Sequence, residues 1–217
     1  MKQPVWDLPT RLFHWTLVVL IGLSWWTAEE GPIELHIWSG LTILALLIFR
    51  LLWGLFGSST ARFSSFIRGP AAILAYVRDV KGWRGLGHNP LGALSALALI
   101  VLISAQVGLG LFNTDSDGLV GGPLAHHIGF EVSEEVHDLH EDLFEVLLVF
   151  IGLHIAAVLF YRLVFGKGLT WPMVTGRAEL GSGIEPMRPG KWWVALLCLV
   201  AALAVTRWII AGAPPFG

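Results

Sequence analysis

The chain has 217 residues, 55% of them hydrophobic and only 14% charged, with a mean hydropathy of +0.69. That is too apolar for an ordinary soluble domain and predicts an all-α integral membrane protein. The net charge of −2 says little by itself, and the single cysteine, Cys198, excludes an intramolecular disulfide, a CxxC zinc site and a CxxCH attachment.

Five stretches are long enough to cross a hydrocarbon core of about 30 Å, which takes roughly 20 helical residues. They cover about 10–28, 35–56, 91–112, 136–163 and 192–211. The first resembles a signal peptide in position, but it holds His14 and three tryptophans and ends in Glu29-Glu30 without a small-residue cleavage site. It is therefore expected to persist as a helix. Gly31-Pro32 punctuates the first loop. Residues 69–83 set Leu74, Val77 and Val80 among Arg78, Lys81 and the following Arg84, the pattern of a short helix lying in the membrane interface. Asn89-Pro90 reads as an N-cap followed by proline at the first helical position, so the third long helix should start there. Residues 118–129, with Gly121-Gly122-Pro123 and the paired His126 and His127, predict an irregular loop, and residues 175–190 a polar linker. No internal repeat is visible, and residues 1–217 are expected to form one domain.

The cations sort by loop. Lys2 and Arg11 lie before or at the start of the first span, six cations from Arg50 to Arg84 at the end of the second or after it, and five from Arg162 to Lys191 at the end of the fourth or between it and the fifth. The opposite loops contain none, and only Arg207 breaks the pattern. The positive-inside rule then predicts a cytoplasmic N-terminus, with the loops at 29–34 and 113–135 facing outward. Acidic residues gather on that outer side, among them Glu29, Glu30, Glu34, Glu131, Glu134 and Glu135. Such a surface suits a basic partner through electrostatic steering, and equally reflects outer loops that simply lack cations.

Histidines are rare in membrane helices and turn toward protein or cofactor. Four of the eight, His14, His36, His140 and His154, fall inside predicted spans. His140 and His154 are 14 residues apart, which on a helix returns to within about 40° of one face after a rise of about 21 Å. One helix can thus ligate two haems at two depths. His14 lies one turn beyond Arg11 and pairs by depth with His154 on an inner haem; His36 follows Glu34 and pairs with His140 on an outer one. Arg50 lies 14 residues after His36 on the same face, where it would neutralise a haem propionate or snorkel to the headgroups. Gly40 and Gly54 repeat the interval, leaving room for a flat macrocycle or for close helix packing. His137 points about 100° away from His154 and is not expected to ligate. His88, at the start of the third long helix, is expected to touch a propionate or a quinone headgroup, or to serve local capping. His126 and His127 are candidates for metal or partner binding, or plain surface. Four ligands spread over about 20 Å cannot close one tetrahedral zinc site, and a proton relay would not explain the paired depths.

Arg11-x-x-His14-Trp15, Leu35-His36 with Gly40, His88-Asn89-Pro90 and the interval from His140 to His154 together resemble bacterial cytochrome b of the 561 type. That family includes the b-type subunit of nickel-iron hydrogenases. Gly122-Pro123-Leu124-Ala125 and Leu139-His140-Glu141 are similar to segments of stand-alone members. The resemblance implies a four-helix bundle holding two non-covalent haem b groups, here followed by a C-terminal helix. It also implies a quinone site and a bacterial inner-membrane location. The expected function is electron transfer between the quinone pool and a periplasmic redox partner, such as a c-type cytochrome or a hydrogenase-like protein. The fifth helix matches the longer, complex-forming members, so a complex subunit or homo-oligomer in lipid is expected, and no nucleic-acid partner. Two alternatives stand beside this: a self-contained quinone-dependent oxidoreductase of a small outer substrate such as superoxide, and a haem-free transporter or proton channel using the same histidines.

Overall fold

The computed structural model describes residues 2–83, 85–181 and 183–214; Arg84, counted above among the cytoplasmic cations, lies outside them. Eight α-helices occur among the described residues: α1 (Leu8–Glu29), α2 (Ile33–Phe56), α3 (Phe63–Phe66), α4 (Pro70–Arg78), α5 (Pro90–Phe112), α6 (Phe130–Phe165), α7 (Thr170–Thr175) and α8 (Trp192–Ile210). The five long helices fall on the five predicted stretches. Four of them, α2, α5, α6 and α8, are long and apolar enough to cross a membrane. Helix α1 has the length, 22 residues, but His14, Thr16, Ser24 and Thr27 dilute its hydropathy. The protein is therefore a largely helical, multi-pass membrane protein.

Local sequence explains the helix starts. Asp7 caps α1 by accepting the Thr10 amide at 2.7 Å, and Asn89 caps α5 by accepting the Gly92 amide at 2.8 Å, immediately before Pro90. Helix α6 begins six residues before its apolar stretch, after Gly129, whose φ of +74° suits glycine. Buried Ser133 fixes this first turn by donating to the Phe112 carbonyl, and it meets Thr114 Oγ1, both at 2.6 Å. At 36 residues α6 is about 54 Å long, well beyond the hydrocarbon thickness. Its middle and later turns expose Val149, Leu153, Leu159 and Leu163, the last 81% exposed, an apolar surface suited to lipid rather than water.

By contacts the chain divides into two compact units, and each long helix contributes to both. The first comprises Met1–His14, Arg50–Leu99 and Phe150–Cys198; the second comprises Trp15–Phe49, Ile100–Val149 and Leu199–Gly217. In the first, Trp53 is 1% exposed and its indole donates to Asp7 Oδ2 at 3.0 Å, tying α2 to the α1 cap. The expected polar linker is here built structure. Strand β1 (Lys2–Pro4) pairs antiparallel with β2 (Arg177–Glu179), Val5 and Trp6 amides donate to the Gly176 carbonyl, and Met187 is buried and donates to Pro4. Gly176 must be glycine: its φ is +78° and a Cβ would sit 2.7 Å from the Trp6 carbonyl oxygen. Helix α4 exposes Leu74 and Val77 while burying Tyr76, consistent with an interfacial helix. In the second unit, Leu41, Leu111, Leu124 and Ala213 form a core packed by Ile37, Phe112 and Ile209.

Candidate functional site

Each unit contains one of the two histidine pairs expected from the sequence. In the second, α2 carries His36 and α6 carries His140. Their ring centroids lie 6.2 Å apart with planes crossed at 82°. His36 Nδ1 meets the Ser24 carbonyl of α1 at 2.9 Å, and His140 Nδ1 meets the Gln106 carbonyl of α5 at 3.0 Å. A carbonyl only accepts, so both Nδ1 atoms carry the proton and both Nε2 atoms keep a free lone pair. Donation of the second ring nitrogen to a backbone carbonyl is the arrangement that orients metal-ligating histidines. Gln106 also donates from Nε2 to the His140 carbonyl at 2.9 Å, clamping the α6 backbone to α5.

This donor set fits a haem iron. A metal ion bonds imidazole nitrogen at about 2 Å, so two imidazoles on opposite sides of one ion have centroids about 6 Å apart. Space is present too: a Cβ on Gly40 would meet nothing within 4 Å. Gly110 differs, since a Cβ there would lie 3.1 Å from His140 Cε1, and its bare backbone lets the imidazole seat against α5. No cluster of three or more His, Cys, Asp or Glu suited to a metal ion occurs among the described residues. A bis-histidine haem needs only two protein ligands, because the macrocycle supplies the rest.

In the first unit, His14 of α1 and His154 of α6 interact electrostatically. His154 Nδ1 lies 3.3 Å from Ser95 Oγ of α5. Arg50 of α2, 4% exposed, places its guanidinium 4.8 Å from the centroid of the Phe63 ring. Gly54 makes room for that same ring: a Cβ would strike Phe63 Cε2 at 2.1 Å, so Phe63 fills the space the sequence left open to a macrocycle or to packing. His88 is held between Trp6 and Phe66, with centroids at 4.7 Å and 4.8 Å. Burial first, and then the nearby charge of Arg50, pushes His88 down to about 4, so it is neutral at physiological pH.

The remaining histidines have other engagements. His137 accepts from Asn113 Nδ2 at 3.4 Å and meets Glu141 at 3.4 Å, one turn along α6. His126 and His127 stack at 4.1 Å, and His127 Nε2 meets the Gly212 carbonyl at 3.1 Å, anchoring the chain that follows α8. The supporting groups Ser24, Ser95, Gln106 and Gly110 were not singled out from sequence. A signal for two of them was present: Ser95 and Gln106 are polar residues inside an apolar span, 11 residues apart and so on one face of α5.

A family model described as prokaryotic cytochrome b561 matches residues 5–176, most of the chain, ending before β2 and α8. No match was found among curated proteins or solved structures.

Proposed function

The chain belongs to the prokaryotic cytochrome b561 family, membrane helical bundles that carry electrons on b-type haem, and from that premise we propose that it is a two-haem transmembrane relay. His36 and His140 hold an outer haem, and His14 and His154 hold an inner one. Helix α1 serves as a fifth crossing with its N-terminus cytoplasmic, in a bacterial inner membrane. Electrons pass between a quinone near the inner haem and a periplasmic redox protein, such as a c-type cytochrome or hydrogenase-like partner, at the acidic outer side.

The observation that carries this reading is the pair His36 and His140, 6.2 Å apart, each with Nδ1 on a backbone carbonyl and Nε2 free. The bound haem supplies one-electron chemistry at its iron. His36 with His140, and His14 with His154, would each hold one haem, and with two imidazoles committed to it neither iron would be left open to oxygen or substrate. The work of this chain's residues is orientation and tuning: Ser24 and Gln106 fix the ring planes, Gly110 lets His140 seat, and Gly40 leaves space for the macrocycle. Arg50 would contribute a buried positive charge on the side of the haem held by His14 and His154.

Single substitutions test the pairing. His14→Ala and His154→Ala should each remove the same haem from the reduced-minus-oxidised spectrum, and His36→Ala and His140→Ala the other. Loss of one common haem in the His14→Ala and His140→Ala proteins would refute it. A well-folded purified protein with no reduced b-type band would favour a haem-free transporter instead. Turnover of superoxide by the isolated cytochrome, without a protein partner, would favour a self-contained oxidoreductase.

A further inference from the structure

We propose that Arg50 and His88 form a buried carboxylate-binding site in the first unit, and that its occupant is a propionate of the haem held by His14 and His154. The proposal rests on the two-haem reading and assigns His88 a role within it.

Arg50 is a buried cation with no ion-pair partner within 4.0 Å among the described residues. Its Nη1 is sealed from solvent and has no hydrogen-bond acceptor, and no carboxylate lies within 4.0 Å of it among the described residues. The buried acid nearest in effect is Asp7, but it lies beyond ion-pair distance of Arg50, with Oδ1 accepting from the Thr10 amide and Oδ2 from the Trp53 indole, so it compensates the guanidinium only at range. The Phe63 and Phe66 rings, at 4.8 Å and 5.9 Å, attract a guanidinium but accept no conventional hydrogen bond. A buried charge left so costs several kcal/mol, which an incoming anion offsets.

His88 supplies the second group. Capping of α5 is done by Asn89, so His88 is not needed for it. Its ring is fixed by Trp6 and by Phe66, the same Phe66 that lies against Arg50. Its Nδ1 is sealed and has no partner either. Two sealed polar groups sharing one aromatic neighbour, with no acceptor, are complementary to a planar two-oxygen anion: the guanidinium fork takes one edge and an imidazole N–H donates to the other. His88 is also within electrostatic range of both His14 and His154. A macrocycle held by that pair carries carboxylates at its rim, which makes its own propionate the occupant rather than a free anion.

The test is a redox titration of both haems in the intact protein, with wild type, His88→Phe and Arg50→Gln compared. Phenylalanine keeps an aromatic ring in contact with Trp6 and Phe66 and removes the ring nitrogens. A propionate deprived of its donors stabilises the oxidised iron. The inner haem's reduction equilibrium should shift at least tenfold toward the oxidised form, about 59 mV for one electron, with the outer haem unmoved. In parallel, a carboxylate band in the reduced-minus-oxidised infrared spectrum should move with the substitution and also with isotope labelling of the haem propionates. An unchanged inner-haem equilibrium in His88→Phe overturns the proposal, even if Arg50→Gln fails to assemble. So does a band that responds to the substitution but not to the label, because another carboxylate is then bound. Failure of the two-haem reading looks different: the wild type would lack the second haem, whereas failure of this site leaves both haems and their ligands intact.

Discussion

Replacing Gly110 by alanine separates haem seating from helix stability, because the two respond in opposite directions. Glycine inside a helix costs about 1 kcal/mol relative to alanine, so Gly110→Ala should stabilise α5 by about that amount. The new Cβ, however, would lie 3.1 Å from His140 Cε1 and 3.5 Å from its Nδ1. Relief requires a shift of a few tenths of an ångström, and His140 has little freedom to give it. Its Nδ1 is tied to the Gln106 carbonyl and its own carbonyl to Gln106 Nε2. Metal–ligand distances tolerate only about 0.2 Å, and disturbing the groups that orient a ligating histidine typically costs about 10–100-fold in affinity, equivalent to about 1–3 kcal/mol. The haem proposed at His36 and His140 should therefore be lost preferentially on dilution into haem scavenger, with the one proposed at His14 and His154 retained. Gly152→Ala is the control, since Gly152 is exposed and a Cβ there meets nothing within 4 Å. It should show the helix gain without haem loss. A Gly110→Ala protein that keeps the outer haem as firmly as the control would refute the argument that His140 is seated by α5.

Asp7→Ala removes both the α1 cap and the acceptor of the Trp53 indole, and should cost about 2–4 kcal/mol in a detergent thermal melt; Asp7→Asn should recover much of it. Ser133→Ala deletes two part-buried hydrogen bonds at the first turn of α6 and should cost about 1–3 kcal/mol. Its readout is faster amide exchange over residues 130–134, with both haem bands unchanged. In haem-depleted protein, His88 at about 4 against an ordinary 6.5 means that the unfolded chain takes the proton first as pH falls. This contribution to stability is complete above about pH 6.5 and is lost progressively toward pH 4. Melts across that window should flatten in His88→Phe.

Periodicity and hydropathy were enough to locate the five long helices and to single out the four histidines, because helical rise and rotation are fixed by backbone geometry and an apolar run of that length has one natural solvent. The Asn89-Pro90 start of α5 was legible for the same reason, since a cap is a local hydrogen bond. The early start of α6 was not: Glu131, Glu134 and Glu135 are too polar for a hydropathy window, and it is Ser133 reaching residues 112 and 114 that fixes the turn. Nor was the pairing of residues 2–4 with residues 177–179, which depends on backbone groups some 175 residues apart finding each other. The same holds for the sites. Residue type and spacing nominated His36, His140, His14 and His154 by themselves. Only tertiary structure set Ser24 and Gln106 as the carbonyls that orient His36 and His140, filled the space at Gly54 with Phe63, and brought His88 beside Arg50, because each depends on which helix face meets which, and composition does not encode that.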